Sequence, residues 1–380
     1  MAEQKLPKLT TRVRFPSPAP PPPVPAKTPS PTVPAFAARV VRWQRRHGRH
    51  DLPWQASSDA YRRWLSEVML QQTQVATVIP YFERFLGRFP DVAALAAATE
   101  DEVLALWSGL GYYARGRNLH RAAREVVARF GGAFPVRFEE LESLPGVGRS
   151  TAAAIAAFAG GERRAILDGN VKRVIARHAG IGGDPSSSAV LQALWDAAEA
   201  RLPAKGIEAY TQGMMDLGAT VCLARNPRCD ACPVRVDCVA ANEERVDELP
   251  GRKKRAARKR RSTAMLVAIS KGEVLLVKRP SPGIWGGLWS LPEVDAAEVP
   301  KDAVALPPFE HAFTHFTLDV QPYSTKLGSA TFFGKTKKVA DPNFIWLPLA
   351  DVDGAALPAP VKKLLLGIRR ASAAPSARRR

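Results

Sequence analysis

Four cysteines lie within one short stretch of the chain, and the sequence contains no others. Their spacing, C-x6-C-x2-C-x5-C, keeps four thiolates close together along the chain. Four sulfur ligands suit either a tetrahedral zinc ion or an iron–sulfur cluster, and ligand softness alone does not separate the two. The N-terminal residues lack an apolar signal sequence, so we do not expect disulfides. The predicted metal ligands are Cys222, Cys229, Cys232 and Cys238.

A carboxylate interrupts an apolar helical stripe in the segment LSEVMLQQTQV. At helical spacing, Glu67 shares a face with Trp64 and Leu70. A carboxylate on such a face costs free energy unless it is paired or functional. Burial would raise its pKa, so that the group could donate a proton near neutral pH. The alternative is an ion pair with Arg62, Arg63 or a more distant arginine.

A glycine-containing turn, PGVG, separates two stretches with helical patterns. Gly146 and Gly148 permit positive φ and a close backbone approach, and amides at the following helix start can hold a phosphate. Farther along, an apolar run ends in Asp168, followed by Gly169-Asn170 and a basic helix start. Taken singly, the turn could connect any two helices, and Asp168 could be an ordinary helix N-cap.

The order of hairpin, aspartate and cysteine loop is more specific than its parts. It resembles the helix-hairpin-helix glycosylase superfamily from about residue 40 to 240. The segments HGRHDLPW, SEVMLQQTQV, GLGYYARGRNLH and QGMMDLGATVC further resemble the MutY-type adenine DNA glycosylases, which act on adenine mispaired with 8-oxoguanine. The resemblance implies base flipping, acid-catalysed hydrolysis of the N-glycosidic bond and a role in base excision repair. It also implies a 4Fe-4S cluster, rather than zinc, on the four cysteines.

The same resemblance implies roles for the polar residues. Glu67 would be the catalytic acid that protonates N7 of adenine. Asp168 would stabilise or briefly capture C1′ of the sugar, by analogy with glycosidases, and Asn170 would position Asp168 or the sugar. Arg115 and Arg117 favour a DNA-facing loop around the tyrosines. The implied DNA-binding residues are Gln72, Tyr112, Gly146, Gly148 and Ser150, of which Gln72 and Tyr112 would wedge into the duplex; the implied adenine-pocket residues are Trp54 and Gln212.

Ser150 separates two reaction types within the superfamily. Members that also cut the DNA backbone carry a lysine immediately after PGVGR, and its amine forms a Schiff base with C1′. A serine hydroxyl cannot do this, so the resemblance implies a monofunctional glycosylase. Two rival interpretations are an endonuclease III-like glycosylase-lyase acting on oxidised pyrimidines and a DNA-binding protein without catalytic activity.

A smaller α/β domain is predicted after a basic linker. The segment STAMLVAISKGEVLLVKRP predicts two strands joined at Lys271-Gly272. The domain resembles the nudix-like domain of MutY-type enzymes. Gly287 and Glu293 match the start of a nudix hydrolase signature, but its two metal-binding glutamates are missing. We therefore expect this domain to bind rather than hydrolyse.

A turn in the second domain is the predicted reader of 8-oxoguanine. In the segment FEHAFTHFTLDV, Phe313, Thr314 and His315 stand where the family has Phe-Ser-His. Phe313 would wedge or stack, the Thr314 hydroxyl would bond the oxidised base, and His315 would contact base or phosphate. The alternative is an ordinary half-buried strand.

Charge and composition complete the prediction. A net charge of +19 favours a polyanionic partner, here double-stranded DNA with an adenine opposite 8-oxoguanine or guanine. The longest apolar runs are too short to span a membrane. We expect a monomer in a bacterial cytoplasm, associated with the nucleoid.

The predicted architecture is multidomain: a proline-rich basic arm at 1–34, a mostly α glycosylase module at 35–250, a basic linker at 251–262, the nudix-like domain at 263–372 and a basic tail at 373–380.

Overall fold

The computed structural model describes residues 35–251, 258–325 and 342–373. The predicted arm at 1–34, the linker residues 252–257 and the tail residues 374–380 lie outside the described residues. The first part of the described chain is helical and the second contains the sheet, as the sequence predicts. The helices of the first part are α1 (Phe36–His47), α2 (Ala60–Leu70), α3 (Val75–Arg88), α4 (Val92–Ala97), α5 (Glu100–Trp107), α6 (Ala114–Phe130), α7 (Phe138–Glu142), α8 (Arg149–Gly160), α9 (Gly169–Ala179), α10 (Ser188–Glu199), α11 (Ile207–Asp216) and α12 (Val239–Asn242).

Helix α2 carries the first candidate carboxylate. It begins after Asp59, whose Oδ1 accepts a hydrogen bond from the amide of Arg62 at 2.8 Å. Its apolar face, which includes Trp64, Leu65 and Met69, is fully buried in the helical core. The helix ends at the QQT segment, where Gln72 takes a φ of +59°.

The predicted hairpin joins α7 to α8, and α9 follows within ten residues of the end of α8. Gly146 has a φ of +78°, and a Cβ there would lie 2.7 Å from Cβ of Asn118. Only glycine therefore fits the turn without displacing α6. Alanines fill α8 and are buried, so this helix packs closely against its neighbours.

The second part of the chain folds around a mixed sheet whose described strands are β1 (Lys259–Ser270), β2 (Glu273–Lys278), β3 (Trp289–Ser290), β4 (Glu293–Val294), β5 (Val304–Ala305), β6 (Phe309–Ala312), β7 (Phe316–Thr325) and β8 (Phe344–Pro348). Strands β1 and β7 are parallel, and the other pairs are antiparallel. Helix α13 (Ala359–Ala373) buries Val361 and Leu365 in the core of this domain.

Strand β1 begins earlier than the sequence predicts. Residues 259–262, assigned above to the linker, already pair in register with β7. Arg260 is held by Asp319 on β7 and Glu310 on β6, so the strand extends into the basic run because acidic partners lie beside it. Lys271 and Gly272 form the predicted turn, both with positive φ.

Helix α5 joins the two parts of the molecule. Leu104 is fully buried, and it packs within the core of the sheet domain rather than that of its own helical module. Asp101 pairs with Lys278 and accepts a hydrogen bond of 3.0 Å from Nε1 of Trp289. Ser108 donates to the carbonyl of Leu357 at 2.8 Å. These contacts fix the sheet domain beside the loop that follows α5.

Candidate functional site

Of the two candidate catalytic carboxylates, Asp168 acts electrostatically on Glu67. Glu67 lies in the last part of α2, and Asp168 is the N-cap residue of α9. The pKa of Glu67 is raised to about 7, first by burial and then by the negative charge of Asp168, while the positive charge of Arg63 acts in the opposite direction. A carboxyl group with this pKa is protonated in a large fraction of molecules at neutral pH.

Glu67 has no hydrogen bond or ion pair among the residues that the structure describes. Arg63, the nearest sequence candidate for an ion pair, instead places Cζ 4.9 Å from the centroid of the Phe158 ring. Its buried Nε has no hydrogen-bond partner in the described chain. The side chain of Glu67 is half-buried rather than sealed. The salt-bridge alternative for Glu67 is therefore absent from this geometry, and its carboxyl group is free to bond a ligand.

Asp168 combines a structural contact with a position beside Glu67. Its Oδ1 accepts a hydrogen bond of 2.7 Å from the amide of Val171, as an N-cap does. Burial raises the pKa of Asp168, and bonds from the amides of Val171 and Asn170 oppose that rise. The side chain of Asn170 does not bond Asp168 but accepts from Nη2 of Arg173 at 3.0 Å. The contact of Asn170 with Asp168 is therefore made by its backbone amide.

Ser150 bonds the segment that leads into Asp168. Its Oγ accepts a hydrogen bond of 2.9 Å from the amide of Leu167. Gly148, two residues earlier, is the N-cap of α8 and has open space where a Cβ would stand. The hairpin amides therefore remain accessible, while the Ser150 hydroxyl faces the protein.

The two residues predicted for the adenine pocket are both buried. Trp54 packs edge-on against Phe82, with ring centroids 5.5 Å apart. Nε2 of Gln212 donates to Oδ1 of Asp216 at 2.8 Å, and Asp216 also pairs with Arg49. The amide oxygen of Gln212 has no recorded partner within the described residues, so it is the atom available to a ligand.

The two wedge candidates and the candidate reader line one cleft, which we call the reading cleft. Gln72 and Tyr112 come from the helical module, and the triplet 313–315 comes from the sheet domain. Both wedge candidates have positive φ, +59° for Gln72 and +48° for Tyr112, which is rare for residues with side chains. Tyr112 is also the most exposed aromatic residue of the helical module, with 48% of its surface accessible. Such strained, exposed turns are typical of functional loops.

The reader triplet forms the turn between β6 and β7. The amide of Phe313 donates to the carbonyl of Phe316 at 2.8 Å, which closes the turn. Phe313 stacks on Phe316, with centroids 4.6 Å apart, whereas Thr314 and His315 are exposed at the tip. Oγ1 of Thr314 lies 3.4 Å from the hydroxyl of Tyr112. The exposed pair can therefore reach a ligand in the cleft, while Phe313 supports the turn.

Arg115 and Arg117 make contacts within the protein that the sequence does not predict. Nη1 of Arg117 bonds the carbonyl of Gly286 in the sheet domain. Arg115 turns inward, where its guanidinium connects the end of α2 to the tyrosine loop. Its acceptors are the carbonyls of Val68, Met69, Gln71, Leu110 and Gly111 and the hydroxyl of Thr73. Unpaired carbonyls at a helix end attract a cation, and the local sequence does not reveal that Arg115 meets them.

The four cysteines converge on one cavity after a π-helical turn at Leu217–Val221. Nη1 of Arg177 lies 3.4 Å from Sγ of Cys222. Arg173 donates to the carbonyls of Cys222 and Gly218 as well as to Asn170. Helix α9 thus connects the cysteine loop at one end to Asp168 at the other, a link that sequence reasoning missed.

Comparison with known proteins identifies the family. Residues 65–200 match the HhH-GPD superfamily of base excision DNA repair proteins, and residues 263–367 match the NUDIX domain family. An adenine DNA glycosylase of Buchnera aphidicola subsp. Schizaphis graminum is 34% identical over 346 residues, which cover 88% of this chain and 99% of that protein. The mouse (Mus musculus) adenine DNA glycosylase is 35% identical over 404 residues, covering 87% and 77% respectively. The chain belongs to the adenine DNA glycosylase family.

A solved structure supports the fold of the helical module. A thermostable thymine-DNA glycosylase is similar with a TM-score of 0.50 and 27% identity, over 55% of this chain and 95% of that one. The protein is thus a DNA glycosylase that hydrolyses N-glycosyl bonds in base excision repair, with a helical glycosylase module and a smaller nudix-like domain. Among the described residues, no helix is long and apolar enough to cross a bilayer.

Proposed function

We propose that this member of the adenine DNA glycosylase family excises adenine paired with 8-oxoguanine or guanine, without cutting the DNA backbone. The observation that carries the proposal is the pair of Glu67 and Asp168. Glu67 is an unpaired carboxyl group with a pKa near 7, and Asp168 is a second carboxylate within electrostatic reach. Together they supply an acid and an anion, the two groups that cleavage of an N-glycosidic bond requires.

Glu67 acts as the general acid in the proposed reaction. Adenine is a poor leaving group as an anion, so a proton delivered to its N7 lowers the barrier to breaking the bond to C1′. The bonding electrons leave with the base, and neutral adenine departs. General acid catalysis of this kind contributes about 10²–10⁴-fold.

Asp168 acts on the sugar that remains. Loss of adenine leaves a positive charge shared by C1′ and the ring oxygen, and a nearby carboxylate stabilises this charge. Its bonds to the amides of Val171 and Asn170 hold the carboxylate in place and favour its charged form. Water then adds to C1′ and loses a proton, which gives an abasic site.

Ser150 supports the absence of a lyase step. A lyase needs an amine that attacks C1′, whereas position 150 carries a hydroxyl that already accepts a bond from Leu167. The proposed product is therefore an abasic site with an intact backbone.

The reading cleft supports the choice of mispair. Extrusion of adenine leaves a gap that Tyr112 and Gln72 can fill by stacking and wedging. Thr314 and His315 lie across the same cleft and offer a hydroxyl and an imidazole to the opposite base. The 8-oxo modification changes hydrogen bonding at the base edge, which short polar side chains can discriminate.

The cysteine loop supplies the ligands that a 4Fe-4S cluster needs. All four cysteines line a common cavity, and four thiolates are the usual ligands of such a cluster. Cys222, Cys229, Cys232 and Cys238 would hold the cluster, and its contribution would be to fix the loop. The exposed Arg225 and Arg228 beside it would then face DNA.

A panel of substrates tests this proposal. Single-turnover release of base would be measured from duplexes with adenine opposite 8-oxoguanine, guanine or thymine, and from a duplex with an oxidised pyrimidine. We expect release opposite 8-oxoguanine and guanine only, and no adduct with an abasic duplex under borohydride. A borohydride-trapped adduct together with release of the oxidised pyrimidine would indicate a glycosylase-lyase. Selective binding of the mispair duplex without release of any base would indicate a non-catalytic DNA-binding protein.

A further inference from the structure

A second cleft lies along the seam between helices α3 and α5 of the helical module and α13 of the nudix-like domain. We refer to it as the seam cleft. Its basic lining residues are Arg84 from α3 and Lys362, Lys363 and Arg370 from α13, and the acidic residue in its lining is Asp353. Neither the catalytic pair nor the reading cleft uses these cations.

The cations of the seam cleft lack protein anions. Among the described residues, Arg84, Lys363 and Arg370 form no ion pair, and the carboxylate of Asp353 is bonded by Arg369 at 2.9 Å from outside the cleft. Within the described part of the chain, Lys362 donates to the carbonyl of Asp353, at 2.5 Å. Four positive charges therefore share one concavity with a single acid that is already engaged.

The positive charges of Arg84 and Lys362 belong to different domains and repel each other. Lys362 is half-buried, and burial together with the positive charge of Arg84 lowers its pKa, against the influence of Asp353. The walls also include apolar side chains such as Leu106 and Leu366, and apolar walls strengthen the field of charges in a cleft. An anion placed between the two domains would relieve this repulsion and form charge-assisted hydrogen bonds.

The seam cleft adjoins the reading cleft. Both are lined by Gly109 and Ala359, and the loop that continues from Gly109 reaches Tyr112 within three residues. A duplex bound with its mispair at Tyr112 and Thr314 presents phosphates in both directions at regular short spacing. Continuity with the reading cleft therefore favours DNA backbone over a free anion as the occupant.

We propose that the seam cleft binds the phosphodiester backbone of the substrate duplex beyond the mispair and so joins the two domains across it. This inference rests on the proposed function, because it assumes that DNA occupies the reading cleft. The contact is independent of base sequence, since cations on flexible side chains recognise phosphate charge alone.

The experiment measures the salt dependence of binding to an adenine:8-oxoguanine duplex. The test variant is Lys363→Gln with Arg370→Gln, two exposed residues of the cleft. The matched control is Lys271→Gln with Lys301→Gln, which removes two exposed charges of the same domain outside the cleft. Each protein is titrated with a long duplex and with a short duplex that ends a few base pairs from the mispair.

The proposal predicts that the test variant lowers the slope of log K against log salt concentration by about 2 on the long duplex. The control should keep the slope of the unaltered protein, and the short duplex should show no difference. Adenine release from the short duplex should be unchanged, which separates this proposal from the proposed function. An unchanged slope on the long duplex would overturn the proposal. A different result would be that inorganic pyrophosphate raises the melting temperature of the unaltered protein but not that of the test variant, while the DNA slopes stay unchanged. That result would assign the cleft to free phosphates.

Discussion

The hydroxyl of Ser150 accepts a hydrogen bond of 2.9 Å from the amide of Leu167. Leu167 directly precedes Asp168, so the hairpin and the second candidate carboxylate are joined by a single bond. The residue that distinguishes this chain from lysine-bearing lyases therefore also has a structural contact. Removing it should affect the position of Asp168 even though Ser150 takes no part in the proposed chemistry.

Ser150→Ala tests this contact. The substitution leaves the amide of buried Leu167 without an acceptor, which costs about 1–3 kcal/mol of unfolding free energy. We expect a lower melting temperature and slower single-turnover release of adenine. Ser150→Thr keeps the hydroxyl and should retain both properties. If the alanine variant equals the unaltered protein in both, the bond does not position Asp168.

Protonation of Glu67 should make the stability of the protein depend on pH. Its pKa in the folded state, about 7, lies above its ordinary value of 4.5, so the folded state binds the proton more tightly. The resulting stabilisation is complete below pH 4.5 and is lost as pH rises through 7. Glu67→Gln mimics the neutral form and should be more stable than the unaltered protein at pH 8, by on the order of 2 kcal/mol. Chemical denaturation at pH 8 and pH 4.5 checks this, and equal stabilities at pH 8 would contradict the raised pKa.

Arg115→Lys should loosen the two loops that carry the wedge candidates Gln72 and Tyr112. Lysine keeps the charge but cannot bond the same set of acceptors, because it lacks the planar fork of the guanidinium. Carbonyls at the end of α2 would be left unpaired, and we expect a loss of about 1–3 kcal/mol in unfolding free energy and weaker binding of the mispair. The control is Arg121→Lys on the same helix, whose arginine bonds Asn118 on the surface. Equal losses of unfolding free energy in the two variants would mean that the inward contacts of Arg115 stabilise the protein no more than the surface contact of Arg121.

The reader triplet gives a prediction about specificity rather than rate. Thr314→Ala with His315→Ala should reduce the preference for 8-oxoguanine over guanine opposite adenine and leave release from the guanine mispair nearly unchanged. Thr314→Ser keeps the hydroxyl and should keep the preference. Competition between the two mispairs in one reaction measures the ratio directly, and an unchanged ratio in the double variant would exclude this turn as the reader.

The sequence predicts local features of the fold well. The apolar stripe around Glu67, the PGVG hairpin and the Lys271-Gly272 turn all depend on residues near each other in the chain. The order of hairpin, aspartate and cysteine loop identifies the superfamily, which the comparisons confirm. Local patterns of this kind are visible without three-dimensional information.

Contacts between distant segments were not predictable from the sequence. Arg115 lies in a loop that the sequence predicts to face DNA, and its guanidinium bonds carbonyls more than 40 residues earlier in the chain. Leu104 has the pattern of an ordinary core leucine, yet it packs in the other domain. In each case the partner is set by tertiary packing, which overrides what the neighbouring residues suggest.

The most direct test of the proposed mechanism is the pH profile of single-turnover adenine release opposite 8-oxoguanine, with the unaltered protein and Glu67→Gln compared side by side. If Glu67 donates the proton, the rate of the unaltered protein falls as pH rises through about 7. Glu67→Gln should be slower by about 10²–10⁴-fold and should lack this fall. A glutamine variant that releases adenine at the unaltered rate, or a profile with no decline around pH 7 in the unaltered protein, would contradict the assignment of Glu67 as the catalytic acid.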